Sequence, residues 1–496
     1  MRHPRTVTDP GYDVVVVGAG SAGCALAGRL AERGDRSVCL VEAGPASRLP
    51  DVTSAASLAA TAPGHPLNWE YTARLVRGRM VSVPRGRVVG GSSAINGSYF
   101  VRAVPQDFAD WAVPGWSFDD VLPYYRRSEA DLDVDGPRHG SAGPLRVRRP
   151  AGRLLAPVTP VFLAACSTLG YPAEPDKNAG GPPGAGPIPS NAAEGVRIST
   201  ATAYLPPPWG AAPEAPTLTV RPDVRALRVL LAGDRALGVE TTAGTIRAGE
   251  VVLAAGAVGS PHLLLHSGIG PAPVLQQAGV PLRAELPVGQ GWSDHPSVYL
   301  PFRWPGPPPH PDAVAGQAAL NLDSGSDPAG DLEVLLFARP FSEGGDVHLM
   351  CALQRPESHG DLTITSADPL APPLLDYRYL RTEADRRRLR AAVRVAADLL
   401  RVADLDRAAP EGWVLGNDVR LDGWIRDVLT TSVHLCGSAA LGRVVDPDLR
   451  VHGFGNLRVA DTSVLPAVPR RGPAATAVMV GERAADLLAG PVRTST

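Results

Sequence analysis

Residues Gly18-Ala19-Gly20-Ser21-Ala22-Gly23 follow directly on the apolar run Tyr12-Asp13-Val14-Val15-Val16-Val17. Three glycines at this spacing suit one task. Gly18 allows a tight turn, Gly20 lets the backbone approach phosphates, and Gly23 permits close packing of helix on strand. With Ser21 opening the helix, the segment puts a dinucleotide pyrophosphate at a helix N-terminus. A bare glycine spacing is weak evidence, but the surrounding unit is complete. Ala22 to Arg33 reads as an alanine-rich helix and Ser37 to Val41 as a second strand. Glu42 closes the unit about twenty residues on, where a carboxylate holds ribose hydroxyls. NAD and FAD share this turn, so the motif alone does not choose between them.

The elements that position such a turn must come from a large chain. At 496 residues, with 44% hydrophobic and 20% charged residues, the composition is that of a globular protein of two to three domains. A net charge of −2 and the lack of a long single-sign run argue against a nucleic-acid partner. The densest basic cluster, Arg386-Arg387-Arg388 with Arg390 and Arg394, reads as a solvated helix face. Cys24, Cys39, Cys166, Cys351 and Cys436 show no CxxC spacing, so no metal site or disulfide framework is expected, which suits a cytoplasmic location. No segment reaches the about 18 apolar residues that span a bilayer, leaving peripheral membrane contact compatible.

Proline and glycine cluster in Gly180 to Pro189, Pro206 to Pro216 and Pro305 to Pro311, which read as loops or crossings. Leu218 to Val220, Val224 to Leu231, Gly238 to Glu240 and Val251 to Leu253 read as short strands. Asp331 to Phe337, Val347 to Leu353 and Leu362 to Ser366 alternate as half-buried strands of one antiparallel sheet. Leu389, Val393, Ala396 and Leu400 fall at helical spacing and should cover that sheet. A last helix, Ala474 to Leu488, follows Gly472-Pro473, with proline suited to a first turn.

Arg87-Val88-Val89-Gly90-Gly91-Ser92-Ser93-Ala94-Ile95-Asn96-Gly97 is glycine- and serine-rich, and its small residues let backbone approach a flat ring. Here the chain resembles the glucose-methanol-choline (GMC) flavoprotein oxidoreductases, whose first signature runs from Gly86 to Phe100. Their second signature appears as Gly256-Ala257-Val258-Gly259-Ser260-Pro261 through Gly268-Ile269-Gly270. The resemblance continues through Gly289-Gln290, Asp294-His295-Pro296, Asn456 to Pro466 and Met479 to Glu482, essentially the whole chain. It implies an α/β chain, α+β overall, with a Rossmann-type FAD-binding domain and a discontinuous antiparallel-sheet substrate domain. Residues 1–150, 216–296 and 431–496 would form the flavin side, the last also carrying the active-site segment. Residues 151–215 and 297–430 would form the substrate side.

FAD is the implied cofactor. Besides the glycine turn and Glu42, the resemblance assigns flavin contacts to Arg87, Gly90, Gly91, Ser92, Asn96 and Gly97, to Val224 near the adenine, to Ala255 and Gly256, to Asp461 on the ribityl chain and to Pro473. The helix beginning near Ala474 would aim its N-terminal dipole at the flavin. Some relatives bond flavin covalently through a histidine where this chain has Ile95, so FAD should be non-covalent. His434, one of eleven histidines, matches the family's active-site base, which takes the hydroxyl proton of an alcohol while hydride leaves for the flavin. The second histidine or asparagine common in the family falls at Gly472. His434 would then act alone, or be joined by a residue from elsewhere, or by Arg470 or Arg471 turned inward to meet an alkoxide or anionic substrate. Asn96 is a second candidate for that contact, and solvated surface is the alternative for the two arginines.

Within the family, Arg471-Gly472-Pro473-Ala474-Ala475-Thr476 and the Asn96 to Phe100 turn look like the GMC oxidoreductase of mycofactocin systems. That implies a reduced peptide-derived redox cofactor as donor and a respiratory acceptor. The alternative is an alcohol dehydrogenase or oxidase acting on a small or natural-product alcohol. A third reading is a lyase of the same fold that uses flavin structurally.

Overall fold

A computed structural model describes residues 11–489, apart from 211–212, 214, 342–344 and 408. Part of the proline-rich stretch 206–216 therefore lies outside the described residues. Val14, Val15 and Val16 are fully buried, because the strand Tyr12–Val17 runs between two parallel neighbours, Val38–Val41 and Gly244–Leu253. Such strands are covered on both faces, hence their unbroken apolar character. Leu218–Arg221 extends the parallel sheet beside Val38–Val41, and Leu457–Val459 extends it beside Gly244–Leu253. Arg235–Thr241 and Ala226–Ala232 then continue from Gly244–Leu253 in antiparallel pairing, for seven strands in all.

The helix Ser21–Arg33 ends at Gly34, whose φ of 67° supplies a left-handed cap. It packs against the helix Ala474–Ala489 so closely that a Cβ on Gly481 would sit 2.3 Å from the Ala22 carbonyl oxygen. Beside that contact the buried Glu482 accepts hydrogen bonds from Arg29, Arg127 and the Tyr204 hydroxyl.

A second sheet is antiparallel throughout, in the order Thr430–Thr431, Pro296–Phe302, Val347–Leu353, Leu332–Phe337, Gly316–Leu322 and Ala185–Pro187. The helix Glu383–Val402 lies on it, burying the expected Leu389, Val393, Ala396 and Leu400. Two expectations are corrected here. Leu332–Phe337 and Val347–Leu353 are almost wholly buried rather than half-buried, since the helix covers one face and the site described below the other. The strand near Leu362 is Gly360–Thr363 and belongs to a third sheet, with Gln290–Trp292, Leu374–Asp376, Tyr71–Val76 and Arg79–Val83. The basic helix face is also less solvated than its composition suggests. Arg388 is buried on Asp331 and Asp385, and Arg390 on Asp422 and Glu383.

A separate buried cluster joins His139 to Asp131 (3.1 Å), Glu129 (3.3 Å) and Asp176 (2.9 Å). Arg102 pairs with Glu129 and Arg149 with Asp131 and Asp176, so a protonated His139 balances the three carboxylates. Among the described residues no helix is long and apolar enough to cross a membrane.

Candidate active site

The glycine turn and the first signature are built against each other. Gly18 has φ 105°, and a Cβ there would lie 2.5 Å from the Ala254 carbonyl oxygen. A Cβ on Gly23 would lie 1.9 Å from the Gly18 carbonyl oxygen, and one on Gly91 (φ 53°) would lie 2.6 Å from the Gly20 Cα. The Gly90 N–H donates to the Ala19 carbonyl at 2.7 Å, locking one loop over the other. Gly20 caps the helix without any side-chain hydrogen bond, so the first-turn N–H groups are free to meet phosphate.

A cavity of about 910 Å³ starts at this turn. Gly18, Gly20, Ser21 and Glu42 line one end, followed by Gly91, Ser92, Asn96 and Gly97. Val224, Ala255, Gly256, Asp461 and Pro473 line it too. Three assigned residues stand behind it instead. Gly23 packs helix on turn, Gly90 holds Ala19, and the Arg87 guanidinium stacks on Trp69 at 5.4 Å. The Glu42 carboxylate accepts the N–H groups of Ala19 (3.0 Å) and Gly44 (2.9 Å), and burial pushes its pKa up to about 7. Asp461 accepts the Gly256 N–H at 2.9 Å. Ile95 presents only an aliphatic side chain to the cavity.

At the far end lies His434. Its backbone N–H donates to Asp294 Oδ1 at 2.8 Å, and Asp294 Oδ2 accepts the Thr431 hydroxyl at 2.9 Å. Burial raises the Asp294 pKa to about 6. His434 Nδ1 lies 2.9 Å from His295 Nδ1, and His295 Nε2 lies 2.9 Å from the Pro469 carbonyl. A carbonyl only accepts, so His295 carries its proton on Nε2 and its Nδ1 is an acceptor. His434 must then donate from Nδ1, which leaves its Nε2 lone pair free. Burial holds both imidazoles in the neutral form, His434 well below the usual range and His295 at about 3. Sequence reasoning gave His295 no role, although it stands in the Asp294-His295-Pro296 segment.

Gly472 faces this base. A Cβ there would lie 3.2 Å from His434 Nε2 and Cε1 and 3.1 Å from Tyr99 Cδ1. The Tyr99 ring therefore fills the space beside His434 where a larger side chain would stand. Its hydroxyl donates to Glu333 Oε2 at 2.9 Å, which also accepts from Asn321 at 3.0 Å. Lys177 joins Asn321 (2.9 Å) to Glu174 (2.7 Å). Arg470 and Arg471 are buried rather than solvated. Arg470 is fixed by Asp107, Asp110 and Asp327. Arg471 donates to the Arg470 carbonyl and lies 3.9 Å from Glu174, outside the cavity lining. Asn96 does line the cavity, with its Oδ1 accepting the Ser98 N–H at 3.0 Å.

A parallel nucleotide-binding sheet whose cavity ends at a neutral, oriented imidazole defines a dinucleotide-dependent oxidoreductase. The chain matches the GMC oxidoreductase family over residues 12–297 and 356–481, and it belongs to that family of FAD-dependent enzymes. It is 37% identical over 515 residues to a GMC-type oxidoreductase from the thcA 5′ region of Rhodococcus erythropolis, covering 98% of this chain and all of that protein. It is 34% identical to an oxygen-dependent choline dehydrogenase of Vibrio vulnificus, covering 96% and 94% of the two chains. The solved pyridoxine 4-oxidase of Mesorbium loti superposes with a TM-score of 0.86 at 28% identity, covering 95% of this chain and 98% of that one.

Proposed function

We propose that the chain oxidises an alcohol, with His434 as the base. The observation that carries this reading is the free Nε2 lone pair of His434, enforced by the bond from its Nδ1 through His295 to the Pro469 carbonyl. FAD, when bound along the glycine turn, supplies a two-electron acceptor for the hydride that leaves the carbinol carbon. The chain's own residues do the rest. His434 Nε2 accepts the hydroxyl proton, and the positive charge so formed is met by the lone pair of His295 Nδ1. Gly472 brings no side chain of its own against Nε2, and Asn96, on the cavity wall, is the second candidate to contact the alcohol oxygen. Arg471 acts as a field source behind Tyr99 and His295 rather than as a substrate ligand.

FAD is held non-covalently, since Ile95 offers no ring nitrogen to bond it. Acid precipitation should leave the flavin in the supernatant. The flavin side comprises 1–150, 216–296 and 431–496 and the substrate side 151–215 and 297–430; the parallel sheet draws all its strands from the first set, while the third sheet joins strands of both.

Within this reading, the Arg471 to Thr476 wording and the Asn96 to Phe100 turn support reduced mycofactocin as the donor. A respiratory acceptor would follow, with the enzyme in the cytoplasm and touching the membrane peripherally. Relatives named for choline and pyridoxine favour a second reading, a small or natural-product alcohol. Anaerobic titration separates them: bleaching of the flavin by reduced mycofactocin alone supports the first, bleaching by simple alcohols the second. His434→Ala should slow bleaching by either about 10²- to 10⁴-fold while retaining flavin.

A further inference from the structure

Resting on the reading of His434 as the base for an alcohol, we propose that the substrate end takes an uncharged alcohol bearing an aromatic ring, and that quaternary ammonium alcohols such as choline are excluded. Glu333, Leu335 and Phe337 alternate onto one face of Leu332–Phe337, opposite Ala352, Met350 and His348 on the neighbouring strand. Tyr299 stands opposite Met350 on the next strand. Polarity therefore grades along the face, from a carboxylate at one end through Leu335, Met350 and Tyr299 to Phe337 and His348.

The carboxylate is closed to a ligand. Glu333 is 2% exposed, and its oxygens accept from Tyr99, Asn321 and Gln354. At the other end Phe341 is 51% exposed and stacks on His348 with centroids 4.5 Å apart. It meets Tyr299 and Phe337 edge to face at 5.3 and 5.4 Å. Tyr299, Phe337 and Phe341 all line the cavity. These rings pack on one another as a wall at the substrate end.

Charge points the same way. Of the acidic side chains lining the cavity, Glu42 is fixed on Ala19 and Gly44, and Asp461 on Gly256, both toward the nucleotide. Toward His434 and the aromatic wall, the charged side chains among the described lining residues are Arg85, bonded to the Val433 carbonyl at 2.7 Å, and Arg339, bonded to the His310 and Pro311 carbonyls at 2.9 Å. Asp346 acts on His348 but does not line the cavity. Among these lining residues a cationic alcohol would meet two guanidinium groups, while an aryl ring finds edge-to-face partners at ordinary spacing.

The test uses FAD-loaded protein. Anaerobic bleaching is followed with 4-methoxybenzyl alcohol, 1-hexanol and choline, and binding of 4-methoxybenzaldehyde and choline is measured by calorimetry in wild type and Phe341→Ala. The half-exposed Phe341 can be cut back without touching the core. We expect bleaching by the aryl alcohol, no bleaching or heat with choline, and a KM and aldehyde Kd raised about tenfold in Phe341→Ala, with kcat within about twofold. Choline or hexanol reacting as well as the aryl alcohol would overturn the assignment and leave the alcohol chemistry standing. Aldehyde binding sensitive to Phe341, without bleaching by any of these alcohols or by reduced mycofactocin, would uphold the aryl site and sink the alcohol chemistry. Absence of aldehyde binding would overturn the aryl site.

Discussion

His434 is placed by contacts that each do a different job. Asp294 anchors its backbone, His295 selects its tautomer, and burial keeps it neutral. Removing the base should cost about 10²- to 10⁴-fold in turnover, read by stopped-flow flavin reduction with wild-type folding confirmed by circular dichroism. His295→Ala should lower kcat about ten- to a hundredfold by freeing the wrong tautomer. It should also move the pH profile. Because burial depresses both imidazoles, kcat/KM in the wild type should stay level as pH falls through 6.5, the ordinary histidine value. In His295→Ala, water reaches His434 and the acid limb should climb toward 6.5. Gly472→Ala tests the crowding beside Nε2. With Cβ contacts of 3.1 to 3.2 Å, it should lower kcat about tenfold and leave stability nearly unchanged, since Tyr99 and His434 must give way. Normal turnover in that variant would show the ring positions to be soft.

At the scale of elements, packing rests on missing side chains and on buried ion pairs. Glu482 serves Arg29, Arg127 and Tyr204 at the contact between Ser21–Arg33 and Ala474–Ala489. Glu482→Gln should destabilise the fold by about 3 kcal/mol in urea denaturation, since two guanidinium groups lose a buried partner. His139 gives a pH signature. Its bonds to Asp131, Asp176 and Glu129 raise its pKa to about 11. The protonated form is favoured in the folded state, so this stabilisation is complete below 6.5 and fades as pH rises through about 11. The alkaline decline of the urea midpoint should flatten in His139→Gln; an unchanged decline would assign it to other groups. The sequence made the nucleotide unit legible because the glycines, the valine run and Glu42 are contiguous, and local rules govern contiguous residues. The antiparallel strands were legible as runs, but their burial was not, because it depends on what covers each face. His295, Tyr99 and Glu333 received no role at His434 for the same reason: they are 139, 335 and 101 positions from it, and only the fold unites them. The two arginines before Gly472 looked like surface because their acidic partners are equally distant.

Across the whole molecule, the sheets are laced together by a chain that leaves and returns. Ala185–Pro187 joins the antiparallel sheet before Leu218–Arg221 adds to the parallel one, and Leu457–Val459 completes that sheet after the antiparallel strands are laid down. Neither half is a continuous stretch, so a cut at the exposed Phe341 should release no folded fragment, and limited proteolysis followed by gel filtration should return a single species that retains flavin. The same lacing bears on synthesis at the ribosome. The glycine turn and Glu42 emerge well before Asp461, Pro473 and the helix that covers Ala22. At about 5 to 20 residues per second, the nascent chain must hold its nucleotide cradle open for about 20 to 90 seconds before the cofactor has a complete seat. Flavin uptake is thus tied to the synthesis of Asp461, Pro473 and the helix Ala474–Ala489, and a ribosome stalled before residue 456 would carry a chain with its first motif made and nothing to close over it.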